Sequence, residues 1–205
     1  MSKYFLIETR GILTLEVFDS LAERIRNEIM KSCLNILTVP QANCSLPLPV
    51  ITCAASLAHH RLLGCVKDLW LFNIDLTSVS AEHLTSLVSI VTSGVYIKNV
   101  SGFDQVTILD SVNSQVLLIR DQSLGSEETQ ALVRAMESGV EEVRLGKETT
   151  LDIRVLIEYN GKGKCRKMLC HYGSKDRYRE QLKIWAKSRN WVIDEGYDFS
   201  IKRID

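Results

Sequence analysis

Near the C-terminus, two cysteines and a histidine lie close enough in sequence to suggest a metal site. Cys165 and Cys170 flank four residues, and His171 follows directly. A structural zinc ion requires four ligands, usually supplied by two such pairs, and the other cysteines lie a hundred residues or more upstream. We therefore interpret these residues as reduced thiols of an apolar core, and we expect neither a metal nor another cofactor.

No other motif indicates catalysis. The segment Gly161-Lys162-Gly163-Lys164 lacks the P-loop spacing and its Ser or Thr, so it is interpreted as a solvated turn. His59, His60 and His83 fall in predicted helices, without a nearby pattern of Ser, Cys or Asp that would suggest a triad. The sequence therefore predicts no catalytic residue and favours a protein that is not an enzyme.

Polar residues that follow the predicted strands support an alternative. Asn73, Asp75, Asn99, Asp121 and Lys147 come directly after β-like runs. An enzyme built on an open α/β sheet would place its site beyond the carboxyl ends of such strands. Ordinary turns contain the same residue types, so this enzyme is the second hypothesis.

Alternation along the predicted strands collects aromatic and charged residues on one face of the sheet. If Leu69/Leu71, Val95/Ile97, Val116/Leu118 and Val143/Leu145 face the core, the other face carries Trp70, Phe72, Tyr96, Lys98, Leu117, Ile119 and Arg144. Trp, Tyr and Arg are enriched in binding hot spots. We therefore predict a partner-binding surface made of Trp70, Phe72, Tyr96, Lys98, Leu117 and Arg144.

The same residues have a second interpretation, in which this face is buried under an N-terminal helix or covered by helices on both sides. The continuous apolar run Val116–Ile119 favours it, because strands that are covered on both faces lose their alternation.

The elements that position these residues recur along the chain. Taking Leu71, Ile97, Leu118, Leu145 and Cys170 as equivalent points, the intervals are 26, 21, 27 and 25 residues, and a sixth run begins at Phe199. Helices with capping residues are predicted between the runs, starting near Ser80, Ser101, Ser126 and Ser174, with Gly139 as a left-handed stop. Thr150–Glu158 is either a further helix or the first arm of a hairpin across Asn160-Gly161.

The N-terminal quarter has a different character. The spacing of Phe18, Leu21, Ile25 and Ile29 predicts a helix over about 15–34. All three prolines fall between Thr38 and Thr52, which predicts an irregular connection. We therefore expect a single domain, 1–205, with an N-terminal helical cap and Pro-containing connection at 1–52 and strand–helix repeats at 53–205.

A strand–helix period near 25 residues is typical of repeat proteins, whose units share a continuous core. The unit Val140–Leu145, preceded by the predicted helix Ser126–Ser138, resembles leucine-rich repeats of the ribonuclease-inhibitor kind. Similar repeats form the sensing end of cytosolic nucleotide-binding innate immune receptors. The resemblance implies an α/β solenoid with a parallel sheet, acting as a protein-binding scaffold in an innate-immune or regulatory setting. An open α/β sheet covered by helices is the alternative fold.

Charge and composition limit the partners. The chain has 25 basic and 25 acidic residues, 45% hydrophobic residues and no apolar run long enough to span a bilayer. Residues 1–150 carry a net charge of −5 and residues 151–205 a net charge of +5. The basic end contains the patch Lys162, Lys164, Arg166, Lys167, Arg177, Arg179 and Lys183.

The default interpretation of this patch is a solvated polar face. The more specific hypothesis is docking on the acidic remainder of the chain or salt-sensitive head-to-tail self-association, and the patch is also a candidate surface for an acidic protein partner. Nucleic-acid binding is not expected, because no groove or stacking motif accompanies the patch. The N-terminus shows no secretory apolar segment, so a cytoplasmic location is expected, without membrane binding.

Overall fold

The computed structural model describes residues 48–170, 175–196 and 199–204. The predicted helix at 15–34 and most of the expected N-terminal cap lie outside the described residues. The described part is α/β, with six helices and a seven-stranded, mostly parallel sheet. The helices are α1 (Leu48–His59), α2 (Ala81–Ser89), α3 (Gln105–Ser111), α4 (Ser126–Ser138), α5 (Ile153–Glu158) and α6 (Lys175–Ser188). The strands are β1 (Val66–Asp75), β2 (Val91–Ser101), β3 (Val116–Arg120), β4 (Glu142–Leu145), β5 (Lys167–Cys170), β6 (Trp191–Glu195) and β7 (Phe199–Arg203).

The strands lie in the order β1-β2-β3-β4-β5-β7-β6. The first five pair in parallel and in chain order, each connected to the next through a helix. All six expected β-like runs are strands. The last does not continue the parallel series, since β7 pairs antiparallel with β5 and β6. Strand β6, which was not expected, is the edge of the described sheet.

One core joins the helices to one face of the sheet. It contains Leu69 and Leu71 of β1 together with residues from every described helix, such as Leu84 of α2 and Trp185 of α6. None of Trp70, Phe72, Tyr96, Leu118 and Leu169 belongs to this cluster, although they alternate with core residues along the strands. Within the described residues, the helices therefore cover one face of the sheet.

The expected facing of β3 is wrong. Leu117 and Ile119 point into the helix-covered core, with exposures of 0% and 1%, whereas Leu118 is half-buried on the opposite face. The pairing with β2 fixes this facing, because Val95 pairs with Leu117 and Tyr96 with Leu118. Aligned by this register, the repeat intervals from Leu71 through Ile97, Ile119 and Leu145 to Cys170 become 26, 22, 26 and 25 residues.

The prolines and glycines also act differently from expectation in two places. Helix α1 begins at Leu48, inside the stretch expected to be irregular, because a proline such as Pro49 is tolerated in a helix's first turn, where its missing N–H has no partner to lose. Gly139 ends α4 with φ −137°, so it is not a left-handed stop. A Cβ there would lie 2.8 Å from Asn113 Oδ1 and 3.3 Å from Val112 O, so glycine permits the close approach of the α3–β3 connection.

Side-chain caps set the starts of two short helices. Asp104, rather than Ser101, caps α3, and its Oδ1 accepts a hydrogen bond from the Val106 N–H at 3.1 Å. Asp152 caps α5 in the same way through the Arg154 N–H. The helical interpretation of Thr150–Glu158 is therefore confirmed over the hairpin, for the part from Ile153 onward.

Candidate functional site: the open sheet face

We name the sheet surface opposite the helices the open face. The strand register assigns to it Asp68, Trp70, Phe72, Tyr96, Lys98, Val116, Leu118, Arg120, Glu142, Arg144, Lys167, Leu169, Val192, Asp194, Ser200 and Lys202. One row across the strands runs Trp70–Tyr96–Leu118–Arg144–Leu169, and the next row toward the carboxyl ends runs Phe72–Lys98–Arg120. No described element packs over these rows.

An aromatic cluster dominates the β1–β2 side of the open face. The rings of Trp70 and Tyr96 stack with centroids 3.9 Å apart and an angle of 8° between their planes. Phe72 meets Trp70 edge-on at 5.3 Å. Phe72 is only 9% exposed, so it is a buried neighbour of Trp70. Trp70 and Tyr96 are half-buried, and they offer surface to a ligand.

Three details of this stack bear on binding. A Cβ at Gly94 would lie 2.5 Å from the Tyr96 ring, so glycine gives that ring room to lie along β2 against Trp70. Trp70 Nε1 is buried and has no hydrogen-bond partner among the described residues. Burial, and to a smaller extent the charge of Asp68, raises the pKa of the Tyr96 hydroxyl. The phenol is therefore neutral at physiological pH and can donate a hydrogen bond.

A charged cluster follows on β4 and β5. The Oε1 atom of Glu142 accepts hydrogen bonds from Arg144 Nε at 2.7 Å and from Lys167 Nζ at 3.1 Å. Burial alone would raise the pKa of the Glu142 carboxyl, but these two hydrogen bonds outweigh it and hold the pKa below its usual range. One carboxylate thus fixes two cations in place, which orders Arg144 on the open face.

The structure places the predicted partner-binding residues Trp70, Phe72, Tyr96, Lys98 and Arg144 together, and Leu117 apart from them in the core. Sequence reasoning missed Leu118, Arg120 and Glu142. Arg120 could have revealed the facing of this strand. Residues two apart on a strand share a face, so a charged residue two positions after Leu118 indicates that Leu118 faces away from the core.

The predicted basic patch is divided, and three of its seven members form salt bridges with described residues. Lys167 lies on the open face, bound to Glu142, while Arg179 and Lys183 on α6 both form salt bridges with Glu195. Three further members lie exposed in the connection before β5, namely Lys162, Lys164 and Arg166. The side chain of Arg177 lies outside the described residues.

Polar residues near the carboxyl ends of the strands bond to one another or to the backbone. Asn73 and Asn99 both adopt left-handed φ angles, 49° and 48°, and Asn99 Nδ2 donates to Asn73 Oδ1 at 3.1 Å. The buried Gln122 donates to Val100 O at 3.1 Å, and the buried Thr149 donates to Ile119 O at 3.0 Å. Each of these bonds joins one strand–helix unit to the preceding one.

The remaining enzyme candidates do not converge. Asp75 accepts hydrogen bonds from the backbone and the hydroxyl of Thr77, and Lys147 is exposed. Asp121 pairs with its neighbour Arg120 at 3.5 Å. These contacts give each residue a local structural role, so we see no shared catalytic geometry among them.

Thiol and imidazole groups are the side chains that could bind a metal ion. Burial raises the pKa of the Cys165 thiol to about 11, so this thiol is protonated rather than a ready metal ligand. His171 lies outside the described residues. His59, His60 and His83 pack with ring centroids 4.4–5.9 Å apart. Within the ranges that the structure covers, no group of three or more His, Cys, Asp or Glu residues is arranged to hold a metal ion.

Every helix in the described ranges falls short of the length and apolar character that crossing a bilayer requires. No family model, curated protein or solved structure matches this chain.

Proposed function

We propose that this protein is a non-catalytic protein-interaction module, built as a short solenoid of leucine-rich-repeat-like units, that binds a partner protein on its open face. The stacked Trp70–Tyr96 pair on a sheet face that no described element covers carries this proposal. As the family resemblance implies, the module serves as a scaffold in an innate-immune or regulatory assembly in the cytoplasm.

Topology supports the solenoid. The parallel strands follow chain order and the helices share one face, so each unit contacts mainly its neighbours, as in repeat proteins. The bonds from Gln122 to Val100 O and from Thr149 to Ile119 O connect successive units through side chain and backbone.

The chemistry of the open face supports partner binding. Trp70 and Tyr96 are held rigid by stacking, so binding would cost them little conformational entropy. Arg144 lies in the same cross-strand row as Trp70 and Tyr96. Its side chain is held by a hydrogen bond to Glu142. Rigid aromatic residues beside a fixed arginine form the composition that interface hot spots favour.

The enzyme hypothesis has weaker support. Ligand sites of open α/β sheets lie where the order of parallel strands reverses, and β1–β5 show no reversal. The carboxyl-end residues Asn73, Asn99 and Asp75 already have side-chain partners. The interaction module is therefore the better-supported function.

Affinity capture from the native cell followed by mass spectrometry tests the proposal. Wild type, Trp70→Ala, Tyr96→Ala and Ile184→Ala should be compared, since Ile184 is a 70% exposed apolar residue on helix α6, remote from the open face. We expect a specific partner that wild type and Ile184→Ala retain and that the two aromatic variants lose, while all four proteins stay folded by circular dichroism. A partner set that is identical for all four would contradict the proposal.

A further inference from the structure

Two cations stand side by side on the open face without enough negative charge to balance them. Lys98 of β2 and Arg120 of β3 are direct cross-strand partners. Like charges in such positions are unfavourable. Lys98 forms no ion pair within the described residues, and its Nζ lies 5.9 Å from the centre of the Phe72 ring.

The neighbouring strands hold Arg120 in this position. A Cβ at Gly146 would lie 2.6 Å from Cβ and Cγ of Arg120, so the glycine lets the arginine stem lie across β4. The only salt bridge of Arg120 in the described ranges is a 3.5 Å contact with Asp121. Its guanidinium is therefore incompletely neutralised.

A second like-charge pair on the same face provides an internal comparison. Lys167 and Lys202 are also cross-strand partners, but each contacts a carboxylate, Lys167 sharing Glu142 with Arg144 at 3.1 Å and Lys202 contacting Asp194 at 3.8 Å. Both lysines of that pair thus have a carboxylate partner, whereas at Lys98–Arg120 only Arg120 has one, at 3.5 Å, and Lys98 has none within the described residues. This difference indicates that the missing negative charge comes from outside the described part of the chain.

Resting on the proposed function, we propose that the partner presents an acidic segment to the open face. One of its Asp or Glu carboxylates binds between Lys98 and Arg120, and an apolar side chain of the same segment packs on Trp70 and Tyr96. The two rows are two residues apart along the strands, or about 7 Å. An extended segment with an apolar and an acidic residue at positions i and i+2 matches that distance.

The acidic partner is thus assigned to the open face rather than to the C-terminal basic patch, whose Lys183 and Arg179 are already paired with Glu195. The zero net charge of the chain favours a protein segment over a nucleic acid, which requires a stronger positive field.

A random 12-residue peptide display library selected on the full-length wild-type protein tests the inference. We expect the recovered peptides to be enriched in Asp and Glu two residues from an aromatic or aliphatic residue. The best peptide, made synthetically, should bind the variant carrying both Lys98→Glu and Arg120→Glu at least about tenfold more weakly, a loss typical of a hot-spot charge contact. Its affinity for wild type should fall as salt rises.

Lys187→Glu on α6 is the matched control, because it reverses an exposed charge away from the open face, and it should bind like wild type. Lys98→Gln with Arg120→Gln, which removes the repulsion without introducing acids, should weaken binding while the melting temperature is unchanged or raised. Should the charge-reversed variant fail to fold, this neutral variant alone decides the outcome.

The outcomes separate this inference from the proposed function. Suppose that the recovered peptides require Trp70 for binding but are not enriched in Asp and Glu. That result would overturn the proposal of an acidic partner segment, and it would not contradict the proposed interaction module. A library that yields no Trp70-dependent peptide would count against both. Binding of a labelled single-stranded oligodeoxynucleotide that depends on Lys98 and Arg120 would assign the site to nucleic acid, and a dimer in sedimentation that the Lys98→Glu change dissociates would assign it to a second copy. Either result would overturn the acidic partner segment.

Discussion

The adjacent leucines Leu117 and Leu118 on β3 offer a sharp test of the sheet's two faces. Leu117 is 0% exposed in the helix-covered core, and Leu118 is half-buried on the open face. Replacing a fully buried leucine by alanine costs about 3 kcal/mol, from lost burial and the cavity left behind. Leu118→Ala removes the same atoms from a partly solvated site, so its cost should be about 1 kcal/mol or less.

Urea denaturation and thermal melting, both followed by circular dichroism, compare the two variants with wild type. For a chain of this size, 3 kcal/mol corresponds to a decrease in melting temperature of about 6–12 °C for Leu117→Ala, with an unchanged denaturant slope. Leu118→Ala should shift it by about 4 °C or less. Equal costs for the two variants would mean that both faces of β3 are covered, and a larger cost for Leu118→Ala would refute the register.

Two further predictions concern groups away from the open face. His83 lies beside His59 and His60; burial first, and then the charges of those two histidines, lower its pKa below the ordinary value of 6.5 despite the opposing charge of Glu82. The folded state thus binds this proton less tightly than the unfolded state, so the free energy of unfolding should fall as pH drops below about 6.5. His83→Gln should reduce that fall, as measured by urea titrations at pH 7 and pH 5. A pH dependence of stability equal to that of wild type would contradict the assignment to His83. Thr149→Val removes the hydroxyl that donates a hydrogen bond to Ile119 O. Because that carbonyl also accepts the Gly146 N–H at 2.8 Å, the free energy of unfolding should fall by only about 1 kcal/mol. A stability equal to wild type would show that the hydrogen bond between the two units contributes nothing.

The sequence could predict the strands because each one contains a short apolar run between polar turns, but the apolar run of β3 did not by itself fix which face of the strand points to the core. In Val116–Ile119 the residues on both faces of the strand are apolar, so there is no alternation that could show which face is buried. Cross-strand pairing decides the facing, since Lys98 aligns with Arg120 and this places Leu117 and Ile119 in the core.

The charge network of the open face was also beyond sequence reasoning. Glu142 and Lys167 are 25 residues apart, and they meet only because β4 and β5 pair in a particular register. Strand β6 was missed for a related reason. Its run Trp191–Glu195 follows α6 directly and ends in two acidic residues, and its stability comes from antiparallel pairing with β7. Such contacts depend on the assembled sheet rather than on a local pattern.

Shielding of Trp70 by the captured partner tests the central proposal most directly. Trp185 and Trp191 are buried, with exposures of 2% and 4%, so acrylamide quenching of tryptophan fluorescence reports mainly on Trp70, and Trp70→Phe supplies the background. We expect saturating partner to abolish most of the Trp70-dependent quenching, because the partner's apolar side chain covers the Trp70–Tyr96 stack. Quenching of Trp70 that is the same with and without bound partner would show that the partner binds elsewhere, and it would contradict the assignment of the open face as the binding surface.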